Sequence, residues 1–214
     1  MESTPEAVFD SLHVVRALQR IAGGCTQAEL MLFCYLACLL AVYEDQPASD
    51  WGYAFAATQS AAPFSDSLQS ALDAGETSGL FVRRAGQFVL THEGHAESEF
   101  LSGLARFTRR TQYLDAACNS SLALPLPRVG PAVQAEPGLR RALELSSTRE
   151  LLGESGVAAL HNHFRELADA LPDSADTFVA AVTWIALLAA SVEAHPIERP
   201  LQVFRNEESG VLDP

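Results

Sequence analysis

Residues 68–96 read LQSALDAGETSGLFVRRAGQFVLTHEGHA, and the period of their apolar side chains changes partway along. Leu68, Ala71 and Leu72 stand at the i, i+3, i+4 spacing of a helix with one buried face, and Gly75 and Gly79 close it. From there the period is two. Leu80-Phe81-Val82 predicts a strand, Arg83-Arg84-Ala85-Gly86 a turn in which Gly supplies the unusual backbone angles, and Gln87-Phe88-Val89-Leu90 the returning strand. Residues 91–94 make a second turn into a helix that begins near Ala96.

Upstream, residues 6–21 put Val8, Leu12, Val15 and Leu18 on one helical face with Arg16, Gln19 and Arg20 opposite, and Gly23-Gly24 end the helix. Thr26 followed by Glu29 is a capping box opening the apolar run of residues 30–43, which ends near residues 45–47. Ser49 or Asp50 then caps a short helix over residues 51–58, and residues 63–66 open a third helix, the one carrying Leu68.

Three helices, a two-stranded hairpin and a further helix follow the order of a winged helix-turn-helix. Residues 68–96 resemble the second half of winged-helix domains of the MarR and PadR kind. There a recognition helix leads through a small-residue turn to a wing with a basic tip and a Leu-Thr-x-x-Gly turn. Gly79-Leu80 stand at the entry to the first wing strand, and Leu90, Thr91 and Gly94 at that final turn. The resemblance covers roughly residues 26–104 and is a signature of fold, not of function.

The rest predicts helices. Residues 104–119 are amphipathic, with Phe107, Tyr113 and Leu114 opposed by Arg106, Arg109 and Arg110. Residues 124–137, LPLPRVGPAVQAEP, hold four prolines and predict a linker. Helices are expected over 139–152, with a capping box at Ser147 and Glu150, over 157–171 and over 176–194, the junction Leu171-Pro172-Asp173 separating the last two. The expected organisation is an N-terminal amphipathic helix (1–24), a winged-helix domain (25–104), a helical region (105–195) and an extended tail (196–214). The fold class is mainly α.

The chain has 214 residues and a net charge of -13 from 14 basic and 27 acidic residues, every basic residue being arginine. The absence of lysine excludes a P-loop or Schiff-base lysine. The first residues carry acids where a secretory signal has cations, and four cysteines, Cys25, Cys34, Cys38 and Cys118, are too few for a disulfide framework, so a reducing cytoplasm is expected. The apolar runs 30–43 and 178–192 fall short of the roughly 18–20 residues that cross a bilayer and predict buried core helices, with an interfacial helix as the other reading.

No catalytic residue, metal site or cofactor is expected. His161 and His163 sit two apart, about 200° round a helix, and cannot share a metal. His92-Glu93-Gly94-His95 lacks one residue of the zinc-protease spacing, and Cys34 with Cys38 offers zinc two ligands of four. Neither a nucleophile elbow nor a phosphate-cradling glycine loop occurs.

Two functions from different classes remain. In one, the chain is a non-catalytic protein-protein interaction subunit. Its size, charge and layout resemble acidic winged-helix accessory subunits of SMC-type or ABC-type ATPase complexes, including middle components of bacterial defence systems, which implies an ATPase partner. In the other it is a dimeric MarR/PadR-like transcriptional regulator touching DNA through the wing. The helix over residues 65–78 separates them: it carries Asp66, Asp73 and Glu76, no cation, and only Gln69 to read a base bidentately. Arg83, Arg84, Arg106, Arg109 and Arg110 are the candidate polar contact patch, for a protein or a nucleic acid, and Phe9, Leu12, Val15 and Leu18 the candidate apolar interface.

Overall fold

The computed structural model describes residues 3–171 and 176–194. The first helix, α1 (Pro5–Ala22), opens with Pro5 in its first turn and the Thr4 hydroxyl accepting from the Ala7 N–H, and it closes on Gly23 in the left-handed region. The expected capping box starts α2 (Gln27–Tyr43): Thr26 accepts from the Glu29 backbone, and the Glu29 carboxylate accepts from the Thr26 N–H at 2.7 Å. Every residue of α2 from Leu30 to Val42 is buried. A helix apolar on all sides has to be surrounded, and α2 runs through the centre with α1, α5, α6 and α9 packed around it.

Between α2 and the next helix the expected short helix over 51–58 is absent. A single 3₁₀ turn, Ala48–Trp51, ends at Gly52 in the left-handed region, and strand β1 (Phe55–Ala57) follows. Phe55 and Ala57 are buried and Ala56 less so, the alternation of a strand. β1 pairs antiparallel with β2 (Pro63–Phe64) on one side and with β5 (Arg149–Leu151) on the other, Phe55 lying opposite Leu151.

The helix read from Leu68, Ala71 and Leu72 is α3 (Asp66–Thr77), and those three side chains are buried. The hairpin follows as β3 (Phe81–Arg84) and β4 (Gln87–Leu90), in register from Phe81 opposite Leu90 to Arg84 opposite Gln87. Ala85 and Gly86 both have positive φ, as a two-residue turn matching strand twist requires. An isolated bridge pairs Cys25 with Phe88. Helix α4 (His92–Ser102) begins earlier than the spacing suggested because Thr91 caps it, accepting from the Gly94 N–H at 3.0 Å while donating to the Gly79 carbonyl at 2.7 Å.

A 3₁₀ turn, Ala105–Phe107, leads into α5 (Thr108–Ala123). The proline-rich residues 124–137 are not a linker. They form α6 (Leu126–Val133), whose Val129, Ala132 and Val133 are buried where it packs on α9. Pro127 sits in the first turn, where its missing N–H breaks no helical bond, and Pro131 faces outward.

The helix expected over 139–152 is α7 (Pro137–Leu145), stopped by Ser146 at positive φ; Ser147 and Glu150 cap nothing, and Glu150 lies in β5 opposite Ala56. Helices α8 (Glu154–Ala170) and α9 (Thr177–Ala194) complete the described chain. The tail of 196–214 and residues 172–173 of the expected junction lie outside the described residues.

The architecture is mainly helical with small antiparallel sheets. Buried apolar side chains form one cluster reaching from Ala7 to Leu188, across the boundaries expected at 24/25 and 104/105. The runs 30–43 and 178–192 lie in α2 and α9, and no helix among the described residues is long and apolar enough to cross a membrane.

Candidate functional site

Arg83 and Arg84 end β3 beside the turn and are exposed. Arg83 does not project freely. Its guanidinium reaches back 3.3 Å to the Glu76 carboxylate of α3 and lies 4.5 Å from the centre of the Phe88 ring. Arg84 has no ion pair among the described residues. Asp66, Asp73 and Glu76 are exposed on α3, so its outer surface is acidic. Gln69, the one side chain there able to read a base bidentately, donates to Asp73 at 2.9 Å and accepts from Gln27 at 2.5 Å.

The second arginine group divides. Arg106 belongs to the 3₁₀ turn, is exposed, and stacks its guanidinium 4.4 Å from the Phe107 ring centre. Arg109 is exposed at the start of α5, donating to the Tyr113 hydroxyl at 3.0 Å with Glu44 at 3.8 Å; Tyr113 in turn donates to Glu44, which also accepts from Thr177. Arg110 is not part of a surface patch. It is 8% exposed and donates through Nε and Nη2 to both oxygens of Asp10, at 2.5 and 2.6 Å.

Consecutive helical residues point about 100° apart, so Arg109 faces solvent and Arg110 the interior. Tyr53 donates to the same Asp10 carboxylate, and the Trp51 ring centre lies 3.8 Å from the Arg110 guanidinium. Burial pushes the Asp10 carboxyl up while Arg110 and Tyr53 pull it back. Burial works against the Arg110 charge too, but Asp10 outweighs it and holds the guanidinium above its ordinary value.

Beside this cluster lies a cavity of about 230 Å³, between α1, α2, the 48–51 turn and the start of α5. Ala41, Val42 and Phe107 give it an apolar floor, Phe107 being stacked on Phe9 at 4.1 Å. Glu6, Asp50, Arg106, Arg109 and Arg110 bring charges of both signs to its walls. Spacing could not find this cavity, because its lining comes from segments about 100 residues apart in the chain.

The apolar interface expected on α1 is not a surface. Phe9, Leu12, Val15 and Leu18 are all 0% exposed, covered by the helices that pack on α1, namely α2, α3, α4 and α5. Among the described residues the exposed large apolar side chains lie elsewhere, at Phe100, Leu122 and Leu145 and on α9 at Phe178, Val179 and Leu187. An apolar face on a helical wheel shows that something covers it, and a partner and the chain's own core leave the same signature.

All four cysteines are buried as free thiols, and burial raises each of them. His92, His95 and His161 are exposed, and no group of three His, Cys, Asp or Glu among the described residues could hold a metal ion.

The chain matches no family model, no curated protein and no solved structure.

Proposed function

We propose that this chain is a non-catalytic protein-protein interaction subunit built on a winged-helix layout. Supporting the layout are α3 followed directly by the β3–β4 hairpin and the bridge that ties Cys25, between α1 and α2, to Phe88. The observation that carries the function is the outer face of α3. It presents three carboxylates and no cation, and it draws Arg83 of the hairpin into an ion pair with Glu76. A helix entering the major groove lies among phosphates, and a protein gains DNA affinity by neutralising them with Lys and Arg. This helix would be repelled. A basic partner surface suits it, and the apolar residues on the outside of α9 add hydrophobic area to what a partner can bury. The sequence resemblance implies an ATPase subunit of a larger complex as that partner.

The test combines a titration with co-purification. Fluorescence anisotropy with random duplex DNA below about 100 mM salt is expected to show no binding, and pull-down from the source cells to recover a larger subunit. Asp73→Lys with Glu76→Lys should release that subunit. Retention by the double variant would count against the reading.

The dimeric regulator reading has one observation in its favour: Arg84, exposed at the hairpin with no ion-pair partner among the described residues, stands where a wing contacts phosphate. DNA binding that falls with salt and is abolished by Arg83→Ala with Arg84→Ala would establish it over the first reading.

A further inference from the structure

We infer that the cavity between α1, α2, the 48–51 turn and α5 is a binding site for a free α-amino acid with an apolar side chain. At about 230 Å³ it is smaller than the roughly 300 Å³ where pockets for drug-sized ligands begin, which sets the ligand at metabolite size.

The charges on its walls are of both signs, and three of them have no ion-pair partner among the described residues. Glu6, Asp50 and Arg106 all line the cavity, yet among the described residues none of them makes an ion pair, with each other or with anything else. Arg110 contributes a guanidinium already fixed in place. Asp10 takes donors from Nε and Nη2, Trp51 stacks on the face, and Nη1 has no acceptor among the described residues. The indole N–H of Trp51, another lining residue, is buried and also lacks a partner. A buried donor without a partner, as the Trp51 indole N–H is, is costly unless something answers it, while the charged groups at the rim are open to a ligand.

Ligand classes divide on that pattern. A simple carboxylate would satisfy Arg106 and Arg110 but face Glu6 and Asp50. An amine or a metal cation would do the reverse, and a neutral apolar molecule would answer neither. An α-amino acid carries carboxylate and ammonium on one carbon, and its side chain can lie on Val42 and Phe107. The Asp10–Arg110 pair then acts as a support, presenting the guanidinium edge at no further cost in side-chain entropy. This inference does not depend on whether the protein's partner is another protein or DNA.

Isothermal titration of the full chain with L-phenylalanine and L-leucine tests it, against 3-phenylpropanoate, which lacks the ammonium, and phenethylamine, which lacks the carboxylate. At least one amino acid is expected to bind, and both single-charge analogues to bind at least about tenfold more weakly. Arg106→Gln should weaken the amino acid without weakening phenethylamine, and Glu6→Gln or Asp50→Asn should weaken it without weakening 3-phenylpropanoate. Arg106 and Asp50 are exposed, so those two variants read the site without disturbing the core. Absence of binding by both amino acids up to about 10 mM, or equal binding of either analogue, would overturn the assignment.

Discussion

Asp10 on α1 and Arg110 on α5, a hundred residues apart, form a two-bond ion pair inside the protein, at 2.5 and 2.6 Å. Two charges removed from water are tolerable only when their geometry is good and their remaining groups are answered. Here Tyr53 donates to the carboxylate and Trp51 covers the guanidinium. With Trp51 and Tyr53 the pair joins three segments remote in sequence, and its arginine lines the cavity.

Removing one partner strands the other. Asp10→Ala is expected to cost about 3–5 kcal/mol in urea denaturation. Asp10→Ala combined with Arg110→Met should cost less than Asp10→Ala alone, because no buried charge remains. A double variant less stable than the single would contradict the buried pair.

Glu136 predicts the pH dependence. It is almost fully buried, accepts from the Gly138 and Leu139 N–H groups and from the Tyr35 hydroxyl at 3.0 Å, and caps α7. Burial nevertheless raises its carboxyl above the ordinary value of 4.5, despite those donors. Below that value both folded and unfolded chains hold the proton and the group contributes nothing to pH dependence. Between 4.5 and the raised folded value the unfolded chain has lost its proton while the folded chain keeps it, so stability falls as pH rises. Denaturation midpoints measured across that window should decline in the wild type and decline less in Glu136→Gln.

The thiols should be silent in the folded protein. Cys25, Cys34, Cys38 and Cys118 are buried and their thiolates disfavoured, and the thiolate is the reacting form. Reaction with Ellman's reagent at pH 8 is expected to titrate no thiol before denaturant is added and four afterwards. Rapid reaction of any one in the native state would place it at the surface.

The hairpin and the start of α4 offer substitutions of opposite sign. Ala85 holds a φ of 47°, a region that costs a side-chain-bearing residue and spares glycine. Ala85→Gly should therefore stabilise by about 0.5–1 kcal/mol. At Gly94 a Cβ would lie 2.1 Å from the Leu80 carbonyl oxygen, so Gly94→Ala should destabilise by at least about 2 kcal/mol. Thermal melts of the two variants, moving in opposite directions from the wild type, check both.

Signals confined to a few neighbouring residues were legible. The Thr26/Glu29 box, the glycine after α1, the hairpin, whose turn was expected over residues 83–86 and is the tighter Ala85-Gly86 because Arg83 and Arg84 pair in β3, and the Leu-Thr-x-x-Gly stretch each act through hydrogen bonds or backbone angles within a turn or two. The last is explained by Thr91 capping α4 and by Gly94 lying against Leu80. What these signals do not carry is the identity of a distant neighbour.

Residues 55–57 are a strand because residues 149–151 come to pair with them, and residues 126–133 are a packed helix because α9 covers Val129 and Val133. Phe9, Leu12, Val15 and Leu18 face the core and not a partner because other helices of the chain fill the space beside α1. Arg110 turned inward for a similar reason: a guanidinium follows its counter-charge, and Asp10 lies a hundred residues earlier in the chain. Backbone propensity is settled locally, whereas burial and charge pairing depend on which surfaces meet, so the elements could be read in order while the cavity they enclose could not.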